Sequence, residues 1–118
     1  MIDSGLDFIS SGIEQNFDIQ GFLVKNKPAT YFFRVGSDAM ANAGIAAGDR
    51  LVVDRSIKPN NRDIVVAVHQ GQFVVRRILI LKNSIELFAE NPQYPAITFI
   101  NAKEVDIWGV VVGLARKY

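Results

Sequence analysis

The sequence predicts a mainly β fold: about seven short strands in a strongly bent sheet or small barrel, with one short helix near the N-terminus. Three observations predict it. The apolar runs are short and rich in valine, isoleucine and phenylalanine, residues that suit a pleated, half-buried surface. Turn-forming pairs such as Gly48-Asp49, Gln70-Gly71 and Lys82-Asn83 punctuate them. Strands do not alternate with long amphipathic helices, so a parallel α/β sheet is not expected.

Residues 1–17 read as an arm, in which Ser, Gly and Asp surround isolated Leu6, Phe8, Ile9 and Ile13 without a sustained period. Burying each of these side chains is worth about 1.5–3 kcal/mol, which favours docking on the domain or on a partner; a frayed terminus is the alternative. The domain proper is expected over 18–118. Asp18 is the expected N-cap of a short helix over Ile19 to Asn26, with Ile19, Phe22 and Leu23 at helical spacing. Lys25 and Lys27 suit its negative end, Gly21 weakens it and Pro28 stops it.

Thr30 to Val35 is aromatic and β-branched, a strand. It opens the stretch on which the chain is organised, Tyr31 to Asp54, which reads as strand, exposed elbow, short helical turn, tight turn and strand. Rigid backbone on both sides of an exposed bend is where a fold holds a reactive side chain. The bend here carries Ala39, which has no reactive atom.

The second run of that stretch is Leu51 to Val53, followed by a polar loop from Arg55 to Arg62. Asp63 to His69 is apolar on both faces and is expected in the sheet interior. A Gln70-Gly71 hairpin returns the chain as Phe73 to Leu81, and Lys82-Asn83 turns it into Ser84 to Ala89. After an irregular connection with Asn91, Pro92, Tyr94 and Pro95 come Ile97 to Ile100 and a last strand, Glu104 to Ala115. Gly109 and Gly113 suit curvature or a bulge there.

Composition excludes several functions. Net charge is +1, too little to hold a phosphate backbone strongly. There is no cysteine, hence no disulfide, thiolate metal site or thiol nucleophile, and the single His69 rules out a multi-histidine metal site. No cofactor of any kind is indicated. With no signal-peptide pattern and no apolar run of membrane-spanning length, the expectation is a cytoplasmic protein with no membrane partner.

The central stretch resembles the S24 family of self-cleaving serine peptidase domains, the LexA/UmuD-like family, whose β fold it would share. Asp38 and Met40 stand where the family has the Asp and Met of its S/G-D-S-M motif. Gly44-Ile45, Gly48-Asp49 and Val52-Val53-Asp54 match the residues that follow, Asp63-Ile64-Val65 its D-I-V strand, Phe73 to Arg77 its V-K-[KR] strand, and Asp106 to Val111 its closing strand. The resemblance runs from about Ala29 to the C-terminus and is nearest to the UmuD-like branch, through PATYFFRV and the Asn91 to Ile97 loop.

The chemistry that the resemblance implies is acyl transfer by a serine whose proton is taken by a neutral lysine. Ala39 occupies the nucleophile position and Arg76 the base position, 37 residues apart as in the family. An alanine cannot attack, and an arginine stays protonated. Ser37, Asp38 and Met40 complete the vestigial cleft: Ser37 as a strand-end hydrogen-bond partner, Asp38 as a cap for the short turn or a contact to a bound segment, Met40 as core. Arg76 would pair with a cleft carboxylate or face solvent, and if it points inward it needs a partner. The double change reads as natural loss or as deliberate replacement; since one change would suffice, natural loss is favoured.

No Ala-Gly or Cys-Gly bond, the family's cleavage site, precedes Ala39, so the chain resembles the processed form of the UmuD-like branch, UmuD′, or a form that never needs processing. The preferred reading is a UmuD′-like accessory subunit for SOS-induced error-prone translesion synthesis. It would homodimerise and bind a UmuC-like Y-family polymerase, with RecA filaments as a partner implied by the family. The arm and apolar strand edges near Phe99, Ile107 or Trp108 are its expected dimer surfaces, with core packing the simpler role for each. The alternatives are an inactivated self-cleaving Ser-Lys peptidase, decided by the encoded residues at 39 and 76, and the dimerisation domain of a phage-type repressor, decided by an upstream helix-turn-helix. His69 is read as a structural strand-end residue.

Overall fold

The computed structural model describes residues 13–118, so most of the expected arm, with Leu6, Phe8 and Ile9, lies outside the described residues. Its described end is solvated: Ile13 is exposed, and Phe17 is half exposed with its ring 5.2 Å from that of Phe22. The helix, α1, is Ile19–Leu23 and stops short of Asn26. Val24 is already extended, with φ −108° and ψ 95°, because no side chain of α1 is buried enough to hold another turn. Asp18 is at the N-cap position, but its carboxylate makes no capping bond and lies instead over Gly21, whose missing Cβ leaves room for it.

Seven strands follow: β1 Thr30–Arg34, β2 Arg50–Asp54, β3 Ile64–His69, β4 Gln72–Ile80, β5 Ile85–Phe88, β6 Ile97–Phe99 and β7 Asp106–Ala115. They form one antiparallel sheet in the order β1-β2-β7-β3-β4-β5-β6. The sheet is open, with β1 and β6 as its edges, so the bent sheet of the two expected forms is the one adopted and the closed barrel is not. β3 is interior, as its two apolar faces require. The hairpin before β4 turns at Gln70 (φ 52°) and Gly71 (φ 77°), both left-handed, as a two-residue turn of matching twist demands.

Bending comes from β7. Its register slips between Val52 and Val53 of β2 and between Val66 and Ala67 of β3, leaving Val112 and Trp108 as the extra residues beside Gly113 and Gly109. A Cβ on Gly109 would sit 2.6 Å from Val53 Cγ1, so only glycine lets β2 cross here. The bent sheet buries two cores. One gathers Val35, Met40, Ile45, Leu51, Val53 and Val66, the other Val65, Ala67, Ile78, Leu87 and Val110. Phe99 and Ile107 pack against the second core and Trp108 against the first, and β7 is interior to the strand order, so of the three only Phe99 lies on an edge strand.

Candidate functional site

The elbow between β1 and β2 is fixed at both ends before any functional group is considered. Val35 N–H donates to Asp49 O and Gly48 N–H to Val35 O, which closes the base of the loop. The carboxylate of Asp49, almost fully buried, accepts from Ala46 N–H at 2.8 Å and from both Nε and Nη2 of Arg116 at 2.7 Å. Those hydrogen bonds, Arg116 first, hold the Asp49 carboxyl down at about 2. Gly44 and Gly48 take the left-handed conformations that the two turns require.

A second segment, the loop between β5 and β6, closes over the elbow. Glu90 O accepts from Asn42 N–H, Asn91 Nδ2 donates to Asp38 O, and Tyr94 OH donates to Asp38 Oδ1 at 2.8 Å. Arg77, on β4, fastens the same loop through a 2.7 Å ion pair with Glu90. These bonds flank Ala39 on either side, and Ala39 is 0% exposed. The expected exposed elbow is therefore corrected: its methyl is buried, and the loop bonds to the residues on both sides of it. The capping role expected of Asp38 is corrected as well. The turn Ala41–Ala43 has Met40 at its N-cap with no side-chain cap bond, and the Asp38 carboxylate is engaged by Tyr94 instead. Met40 lies in the first core, as expected.

Between β1 and β4 lies a cavity of about 300 Å³, walled by residues 33–37 on one side, 72–76 on the other, and Leu51, Val66 and Tyr94. Ser37 and Arg76 both line it. Ser37 Oγ accepts the Ala39 N–H at 3.4 Å, a local strand-end bond of the kind expected. Arg76 points inward and is nine-tenths buried, whereas Arg77 faces the Glu90 loop. The guanidinium of Arg76 finds no carboxylate among the described residues. Nη1 donates to Val75 O at 2.7 Å, Nε has no partner, and Cζ lies 5.5 Å from the centre of the Tyr94 ring. Burial lowers its pKa and Tyr94 acts in the opposite sense. The Tyr94 phenol is raised above its ordinary value, first by its hydrogen bond to Asp38 and then by burial.

The structure thus brings Ser37 and Arg76 to one cleft and adds Tyr94, which bonds Asp38 and faces Arg76, while Ala39 and Met40 are buried and are not among the residues that line it. In the sequence Tyr94 belongs to an irregular connection and to the Asn91 to Ile97 loop of the resemblance, with no sign of a site role. Its partner Asp38 is 56 residues away, and no local pattern marks such a contact. Ala39 carries no nucleophilic atom, and the Arg76 guanidinium is a hydrogen-bond donor with no acceptor atom.

A family model described as Peptidase S24-like matches residues 4–112. The chain belongs to the peptidase S24-like family. Among curated S24 relatives, Protein SamA of Salmonella typhimurium is 38% identical over 104 residues, spanning 88% of this chain and 71% of SamA. Protein ImpA of Escherichia coli is 34% identical over 105 residues, 88% of this chain and 70% of ImpA. The LexA repressor of Paracidovorax citrulli is 36% identical over 104 residues, 88% of this chain but 46% of the repressor. Among the described residues no helix is long and apolar enough to cross a membrane, and no cluster of three metal-ligating side chains occurs.

Proposed function

We propose that this chain is a UmuD′-like accessory subunit for SOS-induced, error-prone translesion DNA synthesis, acting in the cytoplasm by homodimerisation and by binding a UmuC-like Y-family polymerase, without cleaving a peptide bond. RecA filaments are the further partner that the family implies. The observation that carries this reading is the state of the two dyad positions. Ala39 is fully buried, and the Arg76 side chain bonds only Val75 O among the described residues, so on this reading the cleft keeps its walls without its chemistry. A role in binding needs surfaces and no nucleophile. The domain boundary at Asp18 belongs to the same proposal, with residues 1–17 as an arm available to a partner.

The test restores Ala39→Ser and Arg76→Lys together and incubates native and restored proteins with a longer precursor or peptide spanning an Ala-Gly bond, at mildly alkaline pH. Cut product is expected from the native chain at no time. Cleavage by the native chain would overturn the reading. Cleavage by the restored variant alone would favour the second reading, a recently inactivated self-cleaving peptidase, for which the intact cleft walls speak. No cleavage by a folded, dimeric restored variant would mark a domain that works by binding alone.

A further inference from the structure

The Arg76 guanidinium is a buried charge that the accessory role leaves unused. We infer that the cleft between β1 and β4 takes up an extended peptide of a partner protein and reads a glutamate side chain on it through Arg76. This rests on the binding reading of the cleft, and on neither dimerisation nor polymerase contact.

Three observations carry it. The first is charge. Arg76 is nine-tenths buried, its Nε lacks a partner, and the two ion pairs among the described residues, Arg77–Glu90 and Arg116–Asp49, leave it out. The Asp38 carboxylate, on the elbow beside the cavity wall at Ser37, is engaged by Tyr94. A buried cation without a counter-ion is costly, and an incoming carboxylate matches a guanidinium fork in shape and charge.

The second is backbone. β5 pairs with β4 only from Arg77 onward, so Gln72 to Arg76 is paired to β3 alone and leaves its other edge open. β1 ends the strand order and is likewise open on its outer side. The cavity lies along both stretches. A strand entering there finds backbone donors and acceptors to pair with, the basis of strand addition. Arg76 Nη1 now covers the Val75 carbonyl, and an entering strand that takes that carbonyl releases the fork toward its own carboxylate.

The third is room. About 300 Å³, walled by Phe33, Val66 and Phe73, holds a narrow segment rather than a folded surface. The recessed guanidinium favours glutamate, whose extra methylene reaches further than aspartate. An apolar residue beside the glutamate would lie on the Phe33 and Phe73 rings, which meet edge to face at 5.1 Å.

The probes are two fluorescein-labelled peptides with acetylated and amidated termini, VTFEVT and VTFQVT, titrated by fluorescence anisotropy against the native chain. The glutamate peptide is expected to bind at least about tenfold more tightly than its glutamine twin, a difference of about 1.4 kcal/mol. In Arg76→Gln the preference should shrink below about twofold, while Arg76→Lys keeps part of it. Equal binding of the two peptides by the native chain, or binding of neither at millimolar protein, overturns the inference. The native comparison stands even if a variant fails to fold. Polymerase binding is measured separately on the native chain, so failure here is distinguishable from failure of the accessory role.

Discussion

Replacing Ala39 with serine places a hydroxyl at a position that is 0% exposed. The one side-chain oxygen bonded to that backbone is Ser37 Oγ, already accepting the Ala39 N–H. A buried hydroxyl without a partner costs about 1–3 kcal/mol. In a domain of this size each kcal/mol lowers the melting temperature by about 4 °C, so the single variant should melt about 4–12 °C lower. Arg76→Lys alone gives up the bond from Nη1 to Val75 O, about 1 kcal/mol. If positions 39 and 76 share one cleft, the new hydroxyl and the new amine meet in the double variant, and one hydrogen bond worth about 1 kcal/mol returns. Urea unfolding of the four proteins at one fixed concentration, followed by the fluorescence of Trp108, the single tryptophan, completes the cycle. Losses that add within about 0.3–0.5 kcal/mol would refute the placing of the two residues in one site.

Other perturbations test the scaffold. The folded Asp49 carboxyl sits at about 2 against an ordinary 3.8, so the stability it contributes is fully present above pH 3.8 and is lost as pH falls through 2. Thermal melts between pH 5 and pH 2, on about one-unit steps, should show that loss in the native chain and a shallower one in Arg116→Met. Gly109→Ala puts a Cβ 2.6 Å from Val53 Cγ1 and should cost about 1–3 kcal/mol in urea, whereas Gly36→Ala, with nothing within 4 Å, should stay within about 0.5 kcal/mol. Gln70→Asn relieves a left-handed residue at φ 52° and should raise the melting temperature by a few degrees, in scanning calorimetry, for about 0.5–1 kcal/mol gained.

Strands were legible in the sequence where side-chain pattern and turn chemistry agree. Ile64 to His69 announces an interior strand by its two apolar faces, Gln70-Gly71 announces the hairpin, and Gly109 and Gly113 announce the bulges of β7. Open sheet against closed barrel was not legible, because closure depends on whether β1 and β6 meet, and neither strand carries a mark of that. At the elbow the positions were legible and their environment was not. The engagement of Asp38 comes from the loop at residues 90–94, about fifty positions away in the chain, and no local pattern marks the burial of Ala39. The need of an inward arginine for a partner was readable from charge alone, but the structure shows that need met only by Val75 O and the face of Tyr94.

Binding without cleavage is tested most directly on the native chain and a polymerase together. The native chain is mixed with a UmuC-like Y-family polymerase, separated by size-exclusion chromatography with light scattering, and the recovered chain is weighed by intact-mass spectrometry. A complex containing a dimer of this chain, each copy at its unaltered mass, is the predicted result. A folded dimer that fails to co-elute with the polymerase, or a chain recovered shortened by a cut, would contradict it.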